Sequence, residues 1–440
     1  MPYLRPSANR SVIVGLKAAE TCERIRLLVR SQGNMFRSKP FVYITLAEFI
    51  IRSAYQMGKI PLLPIFAASL GAGPALLGFI VSVSTLTGMM LKPFFGFLSD
   101  RWGRKVWLIV GTTFFVVIPF MYQFVNTTEA LFAIRMIHGL ATAIYGPVTL
   151  AYVAELSSEG RAERLAWFSN ARSAGYIVGP VIGGLMLLSM DPRWVFTVVG
   201  LMSSVAFIPV LLLPETHSGS TKKRAPILKD AVEVLWAGGR NGAVLLAGGM
   251  EAGTFMALYA TKAFLPIYAL AAGFNVAVVG TFFAVQEVAH IIVNPVGGRF
   301  GDRFGYFFAI SIGMVTIAIS VPLLPIASNT VSLMSVAVAM GVAQAFVFPS
   351  TIAMVSAQIK EGNIATGIGL VGTMKNAGKV AGPVIAGGLI HWLDYTITFR
   401  LFGLAMLMGA AFVWGRSRGA GRAQYAATVT SEVADASTGD

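Results

Sequence analysis

The chain has 440 residues, 55% of them hydrophobic and only 12% charged; an ordinary soluble domain carries about 25% charged residues, so a soluble globular fold is excluded. The formal net charge of +14 would suggest nucleic acid as partner to a soluble protein, but in so apolar a chain it reads as loop charge that orients helices in a bilayer, and nucleic acid is excluded. The single cysteine, Cys22, excludes an intramolecular disulfide, and the absence of His/Cys clusters at ligand spacing, of a Walker-type phosphate loop and of a nucleophile–base set leaves no metal, cofactor, ATP engine or enzyme activity expected.

In chain order, residues 1–40 carry eight Lys/Arg and two Glu without a long apolar core, and read as a cytoplasmic tail instead of a cleavable signal peptide. Residues 11–30 fit either a short surface-lying amphipathic helix or a disordered tail. Twelve apolar segments follow, many near the roughly 20 residues that cross a bilayer. They run over 41–68, 75–98, 106–125, 129–153, 164–190, 194–214, 241–270, 276–298, 306–327, 331–355, 364–391 and 396–415. All are expected to be helices, because lipid offers no water to satisfy an open backbone. The polar stretch 215–240 is a linker, and 417–440 is a small-residue polar tail expected to be disordered.

Lys and Arg concentrate in the N-terminal tail, 99–105, 156–163, 215–240, 299–305, 356–363 and the C-terminal tail, while the alternate loops hold only Arg193. Both termini are therefore expected on the cytoplasmic side. The chain also repeats itself. GFLSDRWGRK from Gly96 is matched by GRFGDRFGYF from Gly298, 202 residues on. Pro93 and Pro295 share that offset, as do Asp100 and Asp302, and Pro147 and Pro349. GYIVGPVIGG from Gly175 is matched by GKVAGPVIAGG from Gly378, 203 residues on. The repeat divides the chain into six-helix bundles at 41–214 and 241–416, and transporters built from repeats hold substrate near midplane between the repeats.

These motifs resemble the major facilitator superfamily over nearly the whole chain outside the tails. The family loop motif G-x-x-x-D-R-x-G-R-R/K is met at Gly96, Asp100, Arg101, Gly103, Arg104 and Lys105. In the second half Gly298, Asp302, Arg303 and Gly305 match, but Tyr306 and Phe307 replace the last basic pair. A fourth-helix R-x-x-x-G motif is similar to Arg135 and Gly139, with Ala337 where a second arginine would stand. The fifth-helix G-x-x-x-G-P-x-x-G-G motif is met at Gly175, Gly179, Pro180, Gly183 and Gly184, and is associated with antiporters, above all drug–proton exchangers, although importers carry similar patterns. The resemblance implies an all-α membrane protein, twelve transmembrane helices in two pseudo-symmetric bundles.

Small residues four apart let helices approach closely, and Pro180 can bend its helix. Gly179, Pro180, Gly382 and Pro383 are thus candidates for a sliding, gating interface, with packing alone as the plainer reading. Gly96 is expected to permit close helix contact and Gly103 a turn. Asp100 is placed to accept hydrogen bonds from a neighbouring helix end or from Arg101 and Arg104, as a latch on the outward-facing state. Asp302 and Arg303 are its second-half counterparts.

Ionisable residues inside spans are costly and functional by default. At about 100° per residue, Glu48, Arg52, Tyr55 and Lys59 fall near about 0°, 40°, 340° and 20°, one stripe expected to face a central cavity. Glu251 and Lys262 repeat its ends 203 residues on, with Phe255 in place of Arg52. An i,i+4 ion pair that merely neutralises itself is the alternative for Glu48 and Arg52. Glu287 and His290 sit at i,i+3 on one face, a carboxyl and an imidazole suited to proton uptake and release. Arg172 and Lys375 are again 203 residues apart, with Lys379 nearby; Arg172 reads either as snorkelling or as a cavity residue. The excess of cations favours an anionic or chelate-type organic substrate.

The expected function is secondary active transport by alternating access, coupled to protons, with export by antiport favoured. Import of an organic anion by symport is the alternative, and a transporter-like sensor without flux a third reading. Glu48, Glu251, Glu287 and His290 are the proton-coupling candidates. Arg52, Tyr55, Lys59, Arg135, Arg172, Lys262 and Lys375 are the substrate-binding candidates. The expected partners are a small molecule, protons and the lipid bilayer, around a monomer in a bacterial cytoplasmic membrane or one derived from it.

Overall fold

The computed structural model describes residues 38–157, 161–216, 241–358 and 364–437. The surface-helix reading of 11–30 and almost all of the linker lie outside them. The first half consists of α1 (Lys39–Met57), α2 (Leu63–Ser69), α3 (Pro74–Trp102), α4 (Arg104–Met121), α5 (Thr128–Glu155), α6 (Arg161–Met186), α7 (Pro192–Ser204) and α8 (Phe207–Leu211). The second consists of α9 (Gly242–Ala271), α10 (Val276–Phe304), α11 (Tyr306–Leu323), α12 (Thr330–Gln358), α13 (Ile364–Trp392) and α14 (Tyr395–Ser437). Nine of these segments are long and apolar enough to cross a membrane, among the described residues. The expected spans outside that set are the first, fifth and eleventh, which carry Glu48, Arg52 and Lys59, then Arg172, then Lys375 and Lys379.

Three expectations about elements need correction. The first span is not one helix: α1 ends at Met57, a π turn covers Gly58–Leu62, and Ile60 there has φ −143° and ψ 122°. Pro61 has no N–H to donate to the preceding turn, which breaks the ladder at that point. The sixth span is likewise split, between Ser204 and Phe207. The tail at 417–440, expected to be disordered, continues α14 as helix through Ser437. Between 417 and 437 it holds six alanines and no proline, and alanine is the strongest helix former.

Within each half the packing pairs repeat: α3 with α5 and α10 with α12, α1 with α6 and α9 with α13. Gly179 and Gly382 make the second pair possible. A Cβ on Gly179 would lie 2.5 Å from the Ser53 carbonyl oxygen, and one on Gly382 2.2 Å from that of Met256. Ser53 and Met256 are themselves 203 residues apart, so the repeat in sequence is a repeat of backbone approach. Helix α6 runs unbroken through Pro180.

The halves meet along two seams, α3 against α13 and α6 against α10. A Cβ on Gly78 would sit 2.2 Å from the Pro383 carbonyl oxygen, and one on Gly280 2.2 Å from that of Pro180. One turn further, Gly387 faces the carbonyl of Pro74 and Gly184 that of Val276, at 2.4 and 3.0 Å. Ser82 adds a hydrogen bond to the Val380 carbonyl at 2.8 Å. Every one of these contacts lies toward the end away from the basic loops. At the basic-loop end, a Cβ on Gly96, Gly369 or Gly372 would meet nothing within 4 Å. The halves therefore pack backbone to backbone at one end of the seam, and these three glycines at the other end make no such contact. The close contact expected of Gly96 is absent; Gly78, on the same helix, makes it instead.

Candidate functional site

At the centre of the first half, Glu48 is fully buried and receives two guanidinium groups. Arg52, one turn on along α1, donates through Nε at 3.1 Å and Nη2 at 2.7 Å. Arg172 reaches across from α6 and donates through Nε at 2.8 Å. Arg172 therefore points inward to a carboxylate, not outward to the membrane interface. The α6 glycine face that abuts Arg52 and Ser53 brings the two helices close enough for this. One carboxylate against two arginines leaves a positive charge uncompensated, and among the described residues Glu48 Oε2 and Arg172 Nη2 have no hydrogen-bond partner.

The second half repeats the geometry with different side chains. Glu251 on α9 is 1% exposed, accepts a hydrogen bond from the Thr351 hydroxyl at 2.7 Å and faces Lys375 Nζ of α13 at 3.5 Å. Phe255 stands where Arg52 would, stacked on Phe348 at 4.6 Å. Glu251 thus has one basic partner where Glu48 has two.

Between these ion pairs lie three lysines set against rings. Lys59 lies over Tyr55 at 5.5 Å and over Tyr259 at 5.3 Å. Lys262 lies over Tyr259 at 5.2 Å and over Tyr176 at 5.9 Å. Lys379 lies over Phe255 at 4.7 Å and Tyr259 at 5.6 Å. Two of these contacts cross between the halves, Lys59 to Tyr259 and Lys262 to Tyr176. An aromatic face attracts a cation through its quadrupole, by roughly 0.5–2 kcal/mol, which is less than a desolvated ammonium gains from a real counter-ion. Tyr259 and Tyr176 went unmarked in the sequence reading; their spacing from Lys262 (i−3) and Arg172 (i+4) was the signal that could have found them.

Glu287 and His290 do share a face of α10, with Oε1 and Nδ1 at 3.7 Å. The imidazole stands edge-on to Phe348 at 5.7 Å, and Lys262 is within electrostatic reach of Glu287.

Arg135 and Tyr55 are buried within the first half, Tyr55 with one contact to Lys59. Arg135 is 2% exposed, with Nε toward the Ile80 carbonyl at 3.4 Å and Nη2 on the Ser84 hydroxyl. The Tyr55 ring packs edge-on to Phe115 and His138, at 5.5 and 5.3 Å. His138 Nδ1 meets the Tyr122 hydroxyl at 3.3 Å, and among the described residues its Nε2 has no hydrogen-bond partner. His138 was missed although it stands at i+3 from Arg135, the same spacing that flagged Glu287 and His290.

The charged loop between α3 and α4 is a single residue, Gly103, at φ +92°, matched by Gly305 at φ +96°. Both adopt the left-handed region that costs only glycine little. Arg104 pairs with Asp100, with Glu155 of α5 at 2.7 Å and with the Ser99 hydroxyl at 2.5 Å. Glu215, at the start of the linker, accepts from the backbone N–H of Arg104 at 2.7 Å and of Lys105 at 3.2 Å. A carboxylate there satisfies open donors at the positive end of α4. Arg101 is exposed, so Arg104 carries the pairing. In the second half Asp302 and Arg303 are exposed, and Arg303 lies over the adjacent Phe304 ring at 5.4 Å. Among the described residues no group of His, Cys, Asp and Glu is arranged to hold a metal ion.

The Major Facilitator Superfamily model matches residues 44–285 and 250–428. The chain is 24% identical over 342 residues to an uncharacterised MFS-type transporter of Methanocaldococcus jannaschii, covering 77% of this chain and 88% of that protein. It is 26% identical over 348 residues to the quinolone resistance protein NorA of Staphylococcus aureus, covering 75% and 84%. Among solved structures, the nucleoside transporter NupG superposes with a TM-score of 0.74 at 16% identity, over 85% of this chain and 98% of that one. A peptide transporter of the POT type gives 0.70 at 14%, over 87% and 95%.

Proposed function

The chain belongs to the Major Facilitator Superfamily, and from that premise we propose that this multi-pass membrane transporter moves a small organic anion by alternating access, coupled to protons and in the direction of export. The observation that carries the anionic reading is the placement of Lys59 and Lys262, one from each half, against the same Tyr259 ring. Among the described residues neither ammonium has a carboxylate within 4.0 Å, and an anion entering there gains contacts to both halves at once. Taking both termini and the basic loops as cytoplasmic, we read the structure as inward-open, closed at the far end by the Gly78–Pro383 and Gly280–Pro180 contacts.

Glu48, Glu251, Glu287 and His290 are the proposed proton carriers. Glu287 and His290 support this reading most directly, because they are close to one another and Lys262 lies within electrostatic reach of Glu287. Loading a proton on Glu287 would remove a counter-charge from Lys262 and leave it to the substrate, which links the two fluxes. NorA, a quinolone resistance protein, is among the relatives, which supports export over import. Asp100 is proposed to latch the charged turn between α3 and α4 through Arg104, with which it pairs in this state.

The test is transport by purified protein in liposomes with an internal pH dye. Substrate counterflow without any pH response overturns the coupling. Proton movement in the same direction as the anion replaces export by antiport with import by symport. Binding without counterflow leaves the sensor reading.

A further inference from the structure

The central lysines are more numerous than a single anionic group can use. The ammonium groups of Lys59, Lys262 and Lys379 all lie within 5.6 Å of the Tyr259 ring centroid. None of the three has a carboxylate within 4.0 Å among the described residues, while Glu48 pairs with two arginines and Glu251 with Lys375. Lys92 and Lys375 add to the field at Lys379. Like charges gathered in a low-dielectric cavity repel strongly, and ring faces offset only part of that cost. An anion carrying more than one negative charge would relieve that repulsion.

The three lysines also fall into two groups. Lys59 and Lys262 are related by the internal repeat and come one from each half. Lys379 has no such mate: the equivalent position in the first half is Tyr176, 203 residues earlier. The repeat therefore supplies a symmetric pair of cations, and the second half alone adds a third, displaced toward Phe255.

Resting on the anion reading above, we propose that the substrate carries at least two anionic groups on a planar or aromatic frame. One group bridges Lys59 and Lys262 across the seam. The second is held by Lys379. Tyr259, Tyr176 and Phe255, which the lysines now cover, become the faces that pack on the frame when the ammonium groups turn to the anions. A monoanion would satisfy the cross-half pair and leave Lys379 uncompensated.

The experiment is calorimetric titration of the purified full-length protein with benzoate, phthalate and trimellitate, which share one ring and differ in charge. Affinity is expected to rise with each added carboxylate, with at least about a tenfold step from benzoate to phthalate, as for a charge-assisted contact. Lys379→Gln is expected to bring phthalate to within about threefold of benzoate, and Lys379→Arg to restore the step. If benzoate binds wild-type protein as tightly as phthalate, the multivalent reading is overturned while the anion reading stands. If none of the three binds but benzyltrimethylammonium or benzyl alcohol does, the anion reading itself fails. The wild-type series decides the matter even if the glutamine variant does not fold.

Discussion

Arg172 donates its Nε to the buried Glu48 carboxylate at 2.8 Å, and Lys375 faces Glu251 at 3.5 Å in the equivalent place of the other half. Each ion pair ties the glycine-faced helix of its half to the first helix of that half. Residues on those helices also form the seams between the halves, so charge pairing and conformational exchange are mechanically joined.

Removing Glu48 leaves two guanidinium groups without the buried carboxylate they share. Glu48→Gln is expected to destabilise the protein by about 3–5 kcal/mol, the cost of breaking a buried pair. Arg52→Gln is expected to cost less, because Arg172 still compensates the carboxylate. Thermal unfolding of the purified variants measures both; equal melting points for the two would refute the shared-carboxylate account.

The seam predicts opposite outcomes for two glycines. Gly280→Ala places a methyl group 2.2 Å from the Pro180 carbonyl oxygen, a contact that forces α6 and α10 apart. Spin-label distances across the sealed end are expected to lengthen and to shift the population toward the opposite-open state. Gly96→Ala meets nothing within 4 Å and is expected to change neither distance nor transport.

The charged turn acts through Arg104. Asp100→Asn is expected to lower the transport rate while leaving substrate binding intact, and unchanged rates would count against the latch. Glu215→Gln weakens the cap on α4 and is expected to cost about 0.5–1 kcal/mol, visible as a small drop in melting temperature.

Proton coupling is separable from flux at α10. Glu287→Gln is expected to abolish the pH change that accompanies substrate movement while counterflow persists. A variant that keeps the full pH signal would move the coupling role to Glu48 or Glu251.

The apolar periodicity determined the twelve spans, and the internal offset of 202 to 203 residues paired them across the halves before any coordinate was known. That legibility has a physical basis: a bilayer accepts a backbone only as a closed helix, so length and hydropathy mark nine spans, and the charged first, fifth and eleventh are carried by the internal repeat. The inward-pointing charges were legible for the same reason, since an ionisable group inside a span has to find a partner.

What the sequence could not supply was which partner. Arg172 and Glu48 lie 124 residues apart, and whether the arginine snorkels or turns inward depends on how near α6 comes to α1, which the Gly175 and Gly179 contacts decide. Tyr55 shares a helical stripe with Glu48 by angle, yet its ring is taken by Phe115 and His138 from neighbouring helices. The break at Pro61 and the helix beyond Arg416 each turned on local backbone balance that span-counting does not weigh. Apolar pattern and the internal repeat determined the spans; the pairing of cations with carboxylates, and the clustering of three lysines on Tyr259, were decided only by tertiary packing, because contacts between helices depend on approach distances that periodicity within one helix does not encode.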